Sequence, residues 1–485
     1  MIELDWLGLI LLAAHFLIIV AAASFLSANR QPSAAIAWLM AVIFIPVLGI
    51  LFFLLVGVGR LPKHRRDKQR FVTETIMAGT EGGLSRLSRA DEWPDWLPSI
   101  AVLNRNLGAL PMIGGNTAEL LDDYVGSIDA MIADIDAAQR YVHVEFFILV
   151  YDDTTAGFFD ALARARRRGV TVRVLSDHVA QYSYPNRKKT LKVLEEMGAE
   201  YHPMLPLQPF RGHWRRPDLR NHRKLVVIDG VIGHAGSQNM IVDNYHKKAN
   251  VQRGLHWHEL MARFRGPVVR ELDAVFVTDW YSETQHLLSL DNTPVVLSEE
   301  PGRLDGQVVP SGPSFENDNN LKLFASVIQN ARRRVSVTSP YYVPDETIQM
   351  AMVTAGSRGL DVELFVSEIS DQFMVFHAQR SYYEQLLRAG VKIYLYRAPT
   401  VLHAKHLSID DDVAIIGSSN MDIRSLSLHM ELMVLVQGAE FVDDLRKVED
   451  DYRAQSRQLL LDEWLQRPRR ERVFDNLMRL TSSLM

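Results

Sequence analysis

The feature that most constrains this chain is a stretch it contains twice. Residues 221–239 read N-H-R-K-L-V-V-I-D-G-V-I-G-H-A-G-S-Q-N, and residues 403–420 read H-A-K-H-L-S-I-D-D-D-V-A-I-I-G-S-S-N. His222, Lys224 and Asp229 answer to His403, Lys405 and Asp410 at identical offsets, and Gly236-Ser237-Gln238-Asn239 answers to Gly417-Ser418-Ser419-Asn420. A repeat of this kind calls for two copies of one fold, with the rest of the chain bringing the copies face to face.

The flanking pattern repeats as well. Residues 141–150 and 334–343 read as buried strands, helices follow over 155–168 and 347–357, and strands come next at 170–175 and 361–367. Later helices at 190–197 and 382–389 close on Gly198 and Gly390, a strand follows at 391–396, and strands at 226–228 and 407–409 accompany the motifs. Leu120, Leu121, Tyr124, Val125, Ile128, Met131, Ile132 and Ile135 recur at helical spacing. Strand, helix and strand in this order are βαβ grammar. The repeat is too long for a solenoid unit and implies a duplicated α/β domain. The expected division is 1–59, 60–116, a first half over 117–290 and a second over 291–485, which suits a chain of 485 residues.

The first part of the chain is different. Runs 6–26 and 34–58 are almost wholly apolar, and each is long enough as a helix to cross a hydrocarbon core of about 30 Å. Pro46 and Gly49 inside the second are tolerable in lipid and would kink it. Glu3 and Asp5 at the front, with no cleavage site before a soluble segment, speak against a signal peptide. Arg60, Lys63, Arg65, Arg66, Lys68 and Arg70 follow the second run against Arg30 alone in the turn, so a two-helix transmembrane hairpin is expected with the large C-terminal part on the cytoplasmic side. The same basic cluster reads either as a topogenic signal or as a contact for anionic head groups. Residues 71–116, with Gly79, Gly82, Gly83, Pro94 and Pro98, read as a connector. The C-terminal segment 455–485 sets Leu459, Trp464, Val473, Phe474 and Leu477 beside Arg469, Arg470, Arg472 and Arg479. It fits a helix packed on the protein's own surface or one lying on a bilayer.

At the end of an apolar strand, residues i and i+2 share a face, so His222 projects with Lys224 and His403 with Lys405. An imidazole beside an ammonium, with no second carboxylate close by, suits a phosphate better than a metal. The lysine neutralises anionic oxygens and the histidine attacks or donates a proton. Ser237, Asn239, Ser418 and Asn420 are expected to hydrogen-bond the remaining phosphate oxygens. Asp229 and Asp410 belong to the motif but fall at strand-to-turn exits, where a carboxylate satisfies backbone N–H groups. His256 and His258 flank Trp257 without a nearby third ligand, so no metal is expected there. His15 reads as a satisfied interfacial imidazole, while His377, His406 and His429 receive no role. The absence of cysteine removes thiol nucleophiles, disulfides and Cys-ligated zinc, and a net charge of −5 argues against binding nucleic acid by bulk charge.

These residues resemble the signature of the phospholipase D superfamily, H-x-K-x4-D followed by G-S-x-N. The two apolar runs, residues 339–345 (S-P-Y-Y-V-P-D) and residues 417–425 (G-S-S-N-M-D-I-R-S) look like bacterial cardiolipin synthases. The resemblance covers nearly the whole chain. It implies two fused phospholipase D-like α/β/α sandwich halves with pseudo-twofold symmetry. It implies a phosphatidyl transfer between two phosphatidylglycerol molecules, without metal or other cofactor, through a phosphohistidine. By analogy His222 is the nucleophile and His403 the acid and base, although the symmetry of the repeat does not decide this. An acidic residue downstream orients each histidine in the family; Glu431 fits the second half and Glu259 the first, at unequal spacing. Arg424 is a further candidate for phosphate, or for an ion pair. The partners implied are phospholipids and the bilayer of a bacterial cytoplasmic membrane, not nucleic acid. A hydrolase or a different phosphatidyltransferase, a membrane-tethered nuclease and a non-catalytic scaffold remain as alternatives.

Overall fold

The computed structural model describes residues 6–29, 32–53, 57, 61, 63, 65–68, 70–71, 88–208, 216–288, 302–315 and 318–482. The expected boundary at 290/291, Glu3, Asp5, Arg30, Arg60, residues 54–56 and 58 of the second run, and the glycines at 79, 82 and 83 lie outside them. The chain separates into two units, Met1–Arg60 and Leu61–Met485. In the first, one helix covers Trp6–Asn29, and the second apolar run is divided into Pro32–Phe44 and Pro46–Phe52. The division falls where Pro46 has no N–H to continue the helix. Counting described residues alone, no helix is long and apolar enough to cross a membrane.

Among the described residues the second unit holds twenty strands. In chain order they are β1 Ile113–Gly115, β2 Thr117–Leu121, β3 Tyr141–Phe146, β4 Thr171–Asp177, β5 Glu200–Met204, β6 Lys224–Ile228, β7 Ile232–Gly236, β8 His256–His258, β9 Met261–Arg265 and β10 Gly302–Ser311. They continue with β11 Arg334–Thr338, β12 Tyr342–Val343, β13 Asp361–Ser367, β14 Lys392–Tyr396, β15 Thr400–Leu402, β16 His406–Ile409, β17 Val413–Gly417, β18 Met421–Asp422, β19 Glu431–Gln437 and β20 Ser456–Leu459. Of the two large sheets, one runs β2-β9-β7-β6-β3-β4-β5 and the other β1-β10-β19-β17-β16-β11-β13-β14-β20, and β12-β18 and β15-β8 form two-stranded pairs beside them. Apart from the two extra edge strands the orders coincide, and β3-β4-β5 and β11-β13-β14 are the parallel portions of each. The duplication in the sequence is thus a duplication of topology.

Alternation along the strands builds the layers. Val142, Val144, Val226 and Ile228 pack under the helices Tyr124–Ala137 and Ala156–Arg167, while Val335, Val337, Leu407 and Ile409 pack under their counterparts Asn319–Asn330 and Glu346–Ser357. The opposite faces, including Leu225, Val227, Ala414 and Ile416, meet in a core shared by both halves with the helices Val268–Thr284 and Ala439–Ala454. Full burial of each valine, leucine or isoleucine among them contributes about 1.5–3 kcal/mol.

Two expectations change. Leu120 and Leu121 belong to strand β2, because Asp123 caps the following helix by accepting from Gly126 N and starts it at Tyr124. The supposed connector is part of the second half. Its helix Leu97–Asn106 places Leu97 and Ile100 in that half's core, Trp93 Nε1 donates to Asp305 at 2.5 Å, and β1 extends the second sheet. Its apolar residues are too few to show a period, so only the tertiary partner reveals it.

Candidate active site

Each motif histidine stands at the mouth of a strand, His222 before β6 and His403 before β16. The backbone holds each against the other half. His222 N donates to Met430 O at 2.8 Å, and His403 N donates to His258 O at 2.7 Å. The acceptor in each case immediately precedes a glutamate. Strands β8 and β15 run parallel across this junction, Val401 opposite Trp257, and an isolated bridge joins Asn221 to Met430 on the related side.

The carboxylates consequently cross over. His222 Nδ1 lies 2.9 and 3.0 Å from the two oxygens of Glu431, and His403 Nδ1 lies 2.8 Å from Glu259. The repeat suggested the reverse, one acid for the histidine of its own half. In each pair Nδ1 faces the carboxylate, which leaves Nε2 as the nitrogen open to a substrate. All four side chains are buried.

The serines correct a second expectation. Ser237 Oγ donates to Glu259 at 2.6 Å and accepts from Leu260 N at 2.9 Å; Ser418 Oγ donates to Glu431 at 2.5 Å and accepts from Leu432 N at 2.9 Å. A hydroxyl has one proton, and here the carboxylate takes it, so only acceptor capacity is left, which repels a phosphate oxygen. The serines steady the glutamates instead. Gly236 and Gly417 allow this approach, since a Cβ there would lie 2.4 Å from Leu260 O and 2.1 Å from Leu432 O.

Lys224 and Lys405 are buried, and each ammonium donates to the carbonyl of its own histidine at 2.5 Å. Burial pushes Lys224 down to about 7 and Lys405 down to about 8. Asn239 accepts from Ile148 N at 3.1 Å and donates to the Tyr245 hydroxyl at 3.0 Å, while Asn420 is buried with no hydrogen-bond partner for Oδ1 among the described residues. Asp229 and Asp410 face away from this group. Asp229 accepts from the backbone N–H of Gln139, Arg140 and Tyr141, and Asp410 from those of Arg332, Arg333 and Arg334, each at a left-handed turn with φ of 54° and 50°. They fasten the motif hairpins to the first residues of β3 and β11.

The two half-sites are not equivalent. Burial raises the Glu431 carboxyl to about 7. Burial also pushes Glu259 up, but the His403 imidazole, Lys405 and the Ser237 hydroxyl outweigh it and hold the carboxyl below its ordinary value. Burial lowers both histidines, His222 strongly, with the Lys224 charge adding to the effect; at His403 the Glu259 charge opposes it. Around His403 stand Tyr245 and Tyr341, with ring centroids 6.4 and 6.2 Å away, and Tyr245 donates to Glu259 at 3.0 Å. Around His222 stand Phe147, 5.1 Å away, and His429, 5.6 Å away.

Sequence reasoning gave no role to these neighbours, nor to Arg223. His429 occupies the place that Trp257 holds in the other half, two residues before the glutamate, and burial drops it to about 3. Arg223, between His222 and Lys224, points the other way along the strand. Fully buried, it donates to Glu431 O at 3.1 Å and pairs with Asp279. Its signal was available, because the second motif has Ala404 there and a charged residue on the inward face of a strand needs a partner. Arg424 is half-buried, and no carboxylate stands within ion-pair distance of it among the described residues. His222, His429 and Glu431 bring three metal-ligating atoms within 4.8 Å of one another. A cation there would compete for the nitrogen and carboxylate that already hold each other. His256 is taken by Asp243 at 2.8 Å.

Comparison with known proteins supplies the remaining context. A family profile described as cardiolipin synthase, PLD-like domain, matches residues 131–280 and again 324–451, and one described as phospholipase D-nuclease N-terminal matches 16–57. The chain is 31% identical to cardiolipin synthase A of Proteus mirabilis over 463 residues, 94% of each chain. It is 32% identical to cardiolipin synthase of Geobacillus kaustophilus over 464 residues, 94% of this chain and 90% of that one. In fold it is similar to a phosphatidylserine synthase of Haemophilus influenzae, with a TM-score of 0.60 at 15% identity, covering 79% of this chain and 99% of the other.

Proposed function

The chain belongs to the cardiolipin synthase family of phospholipase D-like proteins, and on that premise we propose how its two half-sites divide the transfer of a phosphatidyl group. It is a phosphatidyltransferase. In our reading both donor and acceptor are phosphatidylglycerol. His222 Nε2 attacks the donor phosphorus while His403 gives a proton to the departing glycerol oxygen, so a phosphohistidine forms as the phosphorus–oxygen bond breaks. His403 then takes the proton from the free hydroxyl of the second lipid, whose oxygen attacks the same phosphorus and releases His222. Cardiolipin and glycerol leave with no net proton change. Lys224, Lys405, Asn239 and Asn420 offset the charge on the transferring group.

The crossed histidine–glutamate pairs carry this reading, since each motif histidine depends on a carboxylate of the other half. The unequal carboxylates support the division of labour. An ionised Glu259 offsets part of the burial that lowers His403, so this imidazole takes up a proton more readily than that of His222. Glu431, near neutrality, leaves His222 uncharged with a free lone pair. Purified protein given phosphatidylglycerol in liposomes is expected to yield cardiolipin and glycerol by mass spectrometry, with single-stranded DNA left uncut. Phosphatidic acid as the main product would indicate a hydrolase. Acid-stable trapping aside, phosphate caught under alkaline quench is expected on the peptide containing residue 222, and label on the 403 peptide would reverse the roles.

We also infer that the two apolar N-terminal runs form a membrane hairpin with the catalytic unit on the cytoplasmic side. Hydropathy and the Lys and Arg asymmetry support it. The basic flank is not all available to head groups: Arg65 is bound by Glu283 at 2.7 Å, and Lys68 lies over the Tyr281 ring.

A further inference from the structure

The C-terminal helix Arg469–Arg479 is mounted inside out. Its Asp475 is 1% exposed and sits within hydrogen-bond distance of three side chains, His377 at 2.7 Å, Arg467 at 2.8 Å and Arg380 at 3.1 Å. Arg380 also reaches Glu471 at 3.0 Å. A charged cluster therefore fastens the helix to its neighbour, Phe373–Arg388, by the polar side. The apolar side faces out: Val473, Phe474, Leu477 and Leu480 are exposed, the last at 79%. Phe373 continues the patch, 66% exposed with its ring 5.9 Å from Phe474, and Met374 is exposed beside it. An amphipathic helix in water turns the other way, because burying such side chains is favourable by about 1.5–3 kcal/mol each.

Two observations say what covers this face. The first is charge. Arg469, Arg470 and Arg479 are exposed along the same helix, and no carboxylate pairs with them among the described residues. Apolar side chains ringed by guanidinium groups fit the boundary of an anionic bilayer, where chains and head groups satisfy both. The second is position. Asp371, two residues before Phe373, accepts from the Tyr341 hydroxyl at 2.7 Å and pairs with Lys247 at 3.2 Å, and the Tyr341 ring is 6.2 Å from that of His403. The patch thus continues from the rim of the active site.

We propose that the helices Phe373–Arg388 and Arg469–Arg479 form a docking face for an anionic lipid surface, set at the rim of the active site so that lipids enter from the bilayer they occupy. This deepens the reading that the substrates are bilayer lipids, but its test does not depend on turnover. The chain contains no cysteine, so Phe373→Cys, Leu477→Cys and Leu480→Cys each carry one environment-sensitive fluorophore without further changes. Val231→Cys, exposed at the turn beyond β6 and away from the motif histidines, is the reference. Full-length protein is reconstituted into vesicles of phosphatidylglycerol and phosphatidylcholine whose acyl chains bear bromine. The expected result is loss of emission at positions 373, 477 and 480, none at 231, and weaker quenching when each label is combined with Arg469→Gln, Arg470→Gln and Arg479→Gln. Equal emission at all four positions, or equal quenching at all four, overturns the proposal. So does contact between labels on two copies, which would make a second chain the cover. Quenching unchanged in vesicles of phosphatidylcholine alone overturns its anionic part. Quenching without cardiolipin synthesis would leave the docking face standing and remove the functional reading instead.

Discussion

At the scale of single residues, the repeat displayed the histidines and lysines, because the chemistry of a phosphate site restricts which side chains can fill those positions. It concealed their partners. Both glutamates could be named from the sequence, yet the unequal spacing gave no sign that each serves the other half, since a crossed contact leaves no trace along one strand. The serines were misjudged for a related reason: a hydroxyl can face substrate or support, and only geometry distinguishes them. Ser418→Ala and Ser237→Ala are expected to lower kcat by about 10- to 100-fold, the usual effect of losing a side chain that orients a reacting group, with KM for phosphatidylglycerol little changed. A serine that bound phosphate directly would raise KM. The lysines give a pH signature. Their charge is complete in mild acid and is lost as pH rises through about 7 to 8. Inhibition by sulfate, an anion of constant charge, is therefore expected to weaken by up to about tenfold per pH unit above neutrality. Lys405→Arg, which stays cationic, should flatten its share of that slope.

At the scale of elements, strands and helices were legible wherever alternation or a closing glycine marked them, as in β3, β4, β11 and β13. Residues 88–115 were not, because their apolar positions are sparse and make sense only against the second half's core. The motif aspartates act at this scale. Asp229→Ala or Asp410→Ala would strip three backbone N–H groups of their acceptor, at a cost of about 1–3 kcal/mol or more in folding stability. Thermal denaturation should show that loss, while kcat of the folded protein stays near the parent's. Glu449, on the helix Ala439–Ala454, accepts from Ser408 at 2.8 Å, and burial raises it to about 7. A carboxyl raised on folding contributes stability below its unfolded value, near 4.5, and loses it as pH climbs towards 7. Compared with the parent, Glu449→Gln should gain on the order of 2 kcal/mol between pH 5 and pH 8 in denaturant titrations. A constant difference across that range would show that Glu449 is ionised throughout.

At the scale of the whole molecule, the duplication of the fold could be read from the sequence, but the joint between the halves could not. That joint, with its shared core and crossed pairs, makes the site the property of one complete chain. Mixing a His222→Asn chain with a His403→Asn chain should accordingly restore no cardiolipin synthesis, whereas exchange of halves between copies would restore part of it. The crossing also sets an order in time. Glu431 follows His222 by 209 residues, and a ribosome adding about 5–20 residues per second needs roughly 10–40 seconds to supply it. Until then the emerging first half carries its imidazole without the acid that orients it. The growing chain therefore holds no complete half-site around His222 until Glu431 has been added.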